Sequence, residues 1–356
     1  MLLFDKNPAV GNVTAHVGLQ RLADGHFVLG DVKTSRILII DMFGNLIKSY
    51  DLAAKGYEFH HEVTETTTNT LLICVTKKTT TTPAGVPVIY DHVIEMDRER
   101  GAIVTEWDLK QSLDENRLVM DPAYPPTDRM NNWAHNNAVT YSPKDDHIIV
   151  SLRQQGMVKL SKSNQVKWIL AAHTGWGKNR RGENLAAYLL NPLNSSGEKI
   201  TDMEVVNGTK VHADFEWIWG AHCPVILPDG SVFVFDNGAE RLLGKEKSLY
   251  SRAVGYQIDE KNKTAQQTWQ YGKERGAACY AEAVSSVQFL PLKDHILFAP
   301  GFFVPTVKGK GSKVVEVAML SREVVAEIDL TAPNGVVFHR ATRMPLYPVK
   351  GQNLYQ

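Results

Sequence analysis

Three histidines stand at matched places in a repeated unit: His61-Glu-Val, His135-Asn-Asn-Ala-Val and His222-Cys-Pro-Val each lead into an apolar strand, a tight turn and a second strand. An antiparallel hairpin brings its flanking residues back to the same end. Arg153, after the strand His147-Ile-Ile-Val-Ser-Leu, is therefore expected beside His135, and Asn237 beside His222. Imidazole can act as nucleophile, acid or base near neutral pH, and the guanidinium fork suits a tetrahedral oxyanion. With no carboxylate cluster nearby, such a set fits transfer of a phosphoryl-like group, which needs mainly positioning and positive stabilisation of the equatorial oxygens. A sulfuryl group makes the same demands with less charge and less need of a metal.

Groups so far apart in sequence can meet only if their elements form a ring. The repeat supplies one. Residues 19–30 and 36–52 make an inner strand, a turn and two further strands, and the order recurs with closing strands at 102–109, 165–170, 264–271 and 323–330. Periods of roughly 40–60 residues holding several short antiparallel strands are the signature of propeller blades. Five units are visible. A sixth is expected from the strand-like stretch 340–347 joined by Met1-Leu-Leu-Phe4, which gives an all-β, six-bladed β-propeller of four-stranded antiparallel blades. Length alone suggests two domains, but stacked blades form one continuous body, so residues 1–356 are read as a single propeller domain. The one helical signal is short, Glu183 to Leu190.

The chain carries 39 basic and 39 acidic residues and is 43% hydrophobic, so it offers no electrostatic footprint for nucleic acid or an anionic membrane. Cys74, Cys223 and Cys279 form no close pair and no metal-ligand spacing; they are read as buried or site-adjacent thiols. No apolar run approaches the roughly 20 residues that span a bilayer, and the opening Met1-Leu-Leu-Phe-Asp5 is too short for the apolar core of a secretion signal.

Four longer stretches resemble one family. They are Trp133-Ala-His-Asn-Asn-Ala-Val139, the run 148–159 with Gln165-Val-Lys-Trp-Ile-Leu170, Phe233-Val-Phe-Asp-Asn-Gly238, and Trp269-Gln-Tyr-Gly-Lys-Glu-Arg-Gly276. In this order they are similar to the bacterial arylsulfate sulfotransferases, over roughly residues 19–345. The resemblance implies a six-bladed propeller that moves a sulfuryl group from a phenolic sulfate ester to a phenol, in ping-pong fashion and without a nucleotide donor. It implies that His222 is the transiently sulfurylated nucleophile and that His135, Arg153 and His61 hold the sulfuryl oxygens. Asn137 and Asn237 are expected to add hydrogen bonds, and Ser285 to supply a hydroxyl at the rim. No cofactor and no metal are expected. The partners implied are an aryl sulfate donor and a phenolic acceptor, with a homodimer as the expected assembly. The family's periplasmic location carries over as an expectation, although this chain shows neither the leader peptide nor the N-terminal β-sandwich domain of those enzymes.

Within the pair His60-His61, His61 is favoured because it precedes Glu-Val as His222 precedes Cys-Pro-Val. Lys77 and Lys78 are read as solvated, and Trp133, Trp217 and Trp219 as core or pocket wall. Two other classes remain open on the residues alone. Three imidazoles could ligate zinc or copper, though a nearby guanidinium opposes a cation, and a propeller can serve as a non-catalytic binding platform.

Overall fold

The computed structural model describes residues 16–81, 87–117, 119, 132–244, 249–331 and 337–345. Blade one is β1 (His16–Arg21), β2 (Phe27–Asp31), β3 (Arg36–Ile40) and β4 (Leu46–Asp51). Blade two is β5 (Tyr57–Glu65), β6 (Thr70–Thr81), β7 (Pro87–Asp97) and β8 (Ile103–Asp108), and blade three is β9 (Asn136–Ser142), β10 (His147–Leu152), β11 (Gly156–Leu160) and β12 (Val166–Leu170). Each is an antiparallel meander in sequence order. Blade four adds a short outer strand, β13 (Asn191–Leu193), which runs parallel to the last of β14 (His222–Ile226), β15 (Val232–Asp236), β16 (Arg252–Asp259) and β17 (Thr264–Tyr271). Blade five is β18 (Ser286–Leu290), β19 (His295–Ala299), β21 (Gly309–Ala318) and β22 (Val324–Thr331), with β20 (Val304–Thr306) pairing β21 beyond the end of β19.

Period-2 alternation explains why these sheets stack. Successive side chains of a strand point to opposite faces, and here each face belongs to a different core. Ile148 and Val150 of β10 pack with Leu72, Cys74 and Trp107 of blade two, whereas Ile149 between them joins Val232, Val234 and Val254 of blade four. In turn Phe233 and Phe235 face away, into a core with Val287, Ile296 and Phe298 of blade five. Strands buried on both faces read as near-continuous apolar runs, as in Val232-Phe-Val-Phe. A Cβ on Gly255 would stand 2.4 Å from the Phe233 ring, so only glycine lets that ring lie flat on β16.

Five blades are observed among the described residues, not the six expected. The expected sixth strand begins at Arg340, and residues 337–345 form no ladder. They run along β18 on borrowed bonds: Ala341 N–H donates to Ser286 Oγ at 3.2 Å, Arg343 N–H to Gln288 Oε1 at 2.8 Å, and Gln288 Nε2 to the Arg343 carbonyl at 2.9 Å. Because side chains satisfy these main-chain groups, no strand pairing is needed. At its far end the segment reaches β1, where Arg21 donates to the Pro345 carbonyl at 2.6 Å. The other half of the expected blade, Met1 to Phe4, lies outside the described residues. The helical signal in blade three becomes a single 3-10 turn, Leu185–Tyr188, capped by the Asn184 side chain.

The inner strands β1, β5, β9, β14 and β18 are the sheet edges that meet around the axis. One cavity is lined by a residue from each, including Gln20, Glu62, Val139, Cys223 and Gln288, and by Arg340 from the C-terminal segment. That shared cavity is the direct sign that the ring converges.

Candidate active site

Each inner strand carries a left-handed residue, within β1, β5 and β14 and just before β9 and β18. These are Gly18 (φ 70°), His61 (59°), His135 (53°), Cys223 (58°) and Ser285 (85°). In β1, β5, β9 and β14 a break in ladder register accompanies it. Four of these five residues are not glycine, and a left-handed non-glycine residue costs on the order of 1–2 kcal/mol. Strain of this kind concentrates where side chains must be aimed. Here it brings the His61 and His135 rings against each other.

His222 is the most constrained of the imidazoles. It is buried, and its Nδ1 lies 3.0 Å from the Gly220 carbonyl and 2.7 Å from Asn237 Oδ1. The Asn237 amide cannot be turned over without loss, because its Nδ2 donates to the carbonyls of Ala281 (2.8 Å) and Val284 (3.1 Å). Two acceptors on Nδ1 fix the proton there and leave a lone pair on Nε2. Burial, aided by the positive charges of Arg153 and Arg340, pulls the His222 pKa down to about 3 against the opposing Asn237 bond, so the ring is neutral at pH 7. Gly238 completes the support: its N–H donates to the Trp219 carbonyl at 2.9 Å, and a Cβ there would stand 2.3 Å from the Tyr250 carbonyl.

His61 and His135 meet edge to face, with ring centroids 5.0 Å apart. Burial holds both well below the usual histidine range, and crowding by the other imidazoles, with the Arg153 charge at His135, further disfavours protonation. Asn132 Nδ2 sits 2.5 Å from His135 Nδ1, and an amide donor there leaves the imidazole proton on Nε2. The hairpin logic holds for Arg153, whose N–H donates to the His135 carbonyl at 3.1 Å. Its guanidinium lowers the pKa of both His135 and His222 and stands 3.8 Å from Glu282.

The other expected residues are nearby but differently employed. Asn137 Nδ2 donates to the Ala221 carbonyl at 2.9 Å, as does Ser151 Oγ at 2.6 Å, so the two steady the residue before His222. The Ser285 hydroxyl is shared between the Gly301 N–H (2.9 Å) and the Ala283 carbonyl (3.2 Å). Lys77 turns to Glu106, away from the imidazoles, and the side chain of Lys78 lies outside the described residues. Strand register also alters the basis for preferring His61. His60, not His61, matches His222, since each precedes the left-handed residue and lies three before a paired valine, Val63 or Val225. His61 takes the place that Cys223 holds in blade four, and from there it faces His135.

Four site residues, His339, Arg340, Glu62 and Asp91, escaped the sequence reading. His339 stands 6.3 Å from the His61 ring, with its carbonyl held by the Ser285 N–H at 3.1 Å. Arg340 pairs with Glu62 under the cluster. Burial lifts the Glu62 carboxyl to about 7 against the pull of that guanidinium. Asp91 and His60 form a second layer behind His61 and His135. The one available signal was His339 itself, a histidine immediately before the strand-like stretch at 340–347. Among the described residues no three of the His, Cys, Asp and Glu side chains are grouped so as to hold a metal ion, and all three cysteines are free thiols.

The fold is a β-propeller whose inner strands bring the buried imidazoles of His61, His135 and His222 near the Arg153 guanidinium. The chain belongs to the arylsulfotransferase (ASST) family, a family of transferases, whose model matches residues 4–338. It is 35% identical over 331 residues to the arylsulfate sulfotransferase AssT of Escherichia coli O6:H1 (strain CFT073), covering 82% of this chain and 53% of that protein. It is 33% identical over 326 residues to the AssT of Lelliottia amnigena, with the same coverage. The chain thus spans about half the length of the curated relatives it matches. A solved protein of unknown function from Bacteroides caccae matches at a TM-score of 0.46 and 10% identity over 88% of this chain and 81% of that one, too distant to carry weight.

Proposed function

We propose that this chain transfers a sulfuryl group from a phenolic sulfate ester to a phenol by a ping-pong route through a sulfohistidine at His222. The observation that carries the reading is the fixed tautomer of His222, whose Nδ1 proton is committed to Gly220 and Asn237 and whose Nε2 lone pair is free to attack.

In the first half, Nε2 attacks sulfur in line, the N–S bond forms and the ester S–O bond breaks, releasing the donor phenol. Charge on the sulfuryl oxygens is met by the Arg153 guanidinium and by the Nε2–H of His135, with the one outward N–H of His61 beside them at the ester oxygen. Being neutral, these imidazoles donate hydrogen bonds without adding full charges to a crowded hollow. In the second half the acceptor phenol oxygen attacks the same sulfur and His222 leaves, ready for another turn. Preorganised donors aimed at developing charge are the largest lever available to such a site. The periplasmic location, the single-domain organisation and the homodimer expected from sequence belong to this proposal.

The purified protein given p-nitrophenyl sulfate and phenol should release p-nitrophenol, with double-reciprocal plots at several phenol concentrations running parallel. Intersecting lines would contradict the covalent route. No release at all would favour a non-catalytic platform.

A further inference from the structure

Resting on that reading, we propose that Asp91, His60 and His61 form a proton relay that makes His61 the acid for the departing phenolate and then the base for the incoming phenol. His61 touches the phenol oxygen; His60 and Asp91 are positioning residues acting through it.

The geometry is a line running away from the hollow. His60 Nδ1 lies 3.0 Å from His61 Nδ1, so one ring donates and the other accepts. That bond leaves His61 Nε2 on the side of His135 and His222. On the far side, His60 Nε2 is buried without a hydrogen-bond partner and stands 3.6 Å from Asp91 Oδ1. This is roughly 0.7 Å longer than a hydrogen bond, a gap that a small side-chain rotation closes. Asp91 is itself buried and anchored, its Oδ2 accepting the His135 N–H at 2.7 Å. These groups line one pocket of about 250 Å³, with Glu58, Thr76 and Asn132 on its walls.

The protons balance over the two halves. Before transfer, Asp91 is a carboxylic acid, His60 holds its proton on Nδ1 and His61 holds its proton on Nε2. As the donor S–O bond breaks, His61 Nε2–H protonates the phenolate, His60 Nδ1–H passes to His61 Nδ1, and the Asp91 proton passes to His60 Nε2. The donor half thus ends with Asp91 ionised and a lone pair on His61 Nε2. That lone pair takes the acceptor phenol's proton in the second half, and every shift reverses. Ionisation fits the scheme: burial raises the Asp91 carboxyl to about 7, against the His135 and Asn136 N–H groups and Lys110, and drops His60 to about 4. Near neutral pH the carboxyl is therefore the group that gains and loses a proton, and the rings stay neutral.

The test is the burst of phenol released with donor alone, across a series from p-nitrophenyl sulfate, a good leaving group, to phenyl sulfate and 4-methylphenyl sulfate, poor ones. His60→Gln and Asp91→Asn should stay within about threefold of wild type on p-nitrophenyl sulfate and lose roughly 10²–10³-fold on the poor donors, with Asp91→Glu recovering part of the loss. A loss equal for every donor would mean that these residues only shape the site and would overturn the relay. If neither variant folds, the wild type decides. A solvent deuterium isotope effect should appear with phenyl sulfate and vanish with p-nitrophenyl sulfate, and equal effects on both would overturn the relay. A wild-type protein that releases no phenol from any donor would instead sink the sulfotransferase reading beneath it.

Discussion

The hub holds its imidazoles in two different ways. At the blade-four corner, His222 Nδ1 faces two oxygen acceptors, and its tautomer has no alternative. At the blade-two corner, His61 Nδ1 faces the Nδ1 of another imidazole, and either ring can be the donor. The first arrangement keeps one lone pair permanently presented, which a nucleophile needs. The second lets a proton change sides at little cost, which an acid that must become a base needs. Both corners use the same fold device, an inner strand that carries a left-handed residue beside a break in register. The identity of the Nδ1 partner alone separates fixed from switchable.

The sharpest way to break this contrast is at the fixed corner. His222→Ala should remove transfer by roughly 10⁴-fold or more, measured as p-nitrophenol release with phenol present; an activity within tenfold of wild type would put the nucleophile elsewhere. Arg153→Met, which keeps the stem and deletes the fork, should lower kcat by about 10²–10³-fold with a smaller change in KM. An effect confined to KM would assign Arg153 to ground-state binding only.

A subtler change tests the tautomer lock. Asn237→Asp places a carboxylate on the Nδ1 proton of His222 and so favours the imidazolium, raising a pKa that now sits at about 3. Because attack requires the neutral ring, activity is lost as pH falls through that pKa, and the acid limb of kcat/KM should move up by roughly 1–3 units. A limb that stays in place would mean that Asn237 does not control His222. The smallest effect is expected from Lys77→Ala. Lys77 pairs with Glu106 rather than with the cluster, so its loss should leave transfer within about twofold.

Much of this was legible in the residues. The returning hairpins placed Arg153 next to His135 and Asn237 next to His222, because strand pairing is a local rule that sequence obeys. The blade count was not legible. Residues 340–347 look like a strand, but Ser286 and Gln288 take up the backbone groups that a strand would have paired, and nothing in the spacing announces that substitution. Asp91 was hidden differently: it sits in the middle of β7, far in sequence from its neighbours, and only blade-to-blade stacking brings it under the His135 N–H. The matching of His60 with His222 depends on an irregular register in the middle of β5, which apolar patterning does not reveal.

The most direct test of the account is to quench the protein after exposure to p-nitrophenyl sulfate alone and map the added sulfuryl group by mass spectrometry. The account predicts the adduct on the imidazole of His222, in the wild type and also in His61→Gln, where it forms more slowly. An adduct on any other residue, or one that persists in His222→Ala, would contradict it.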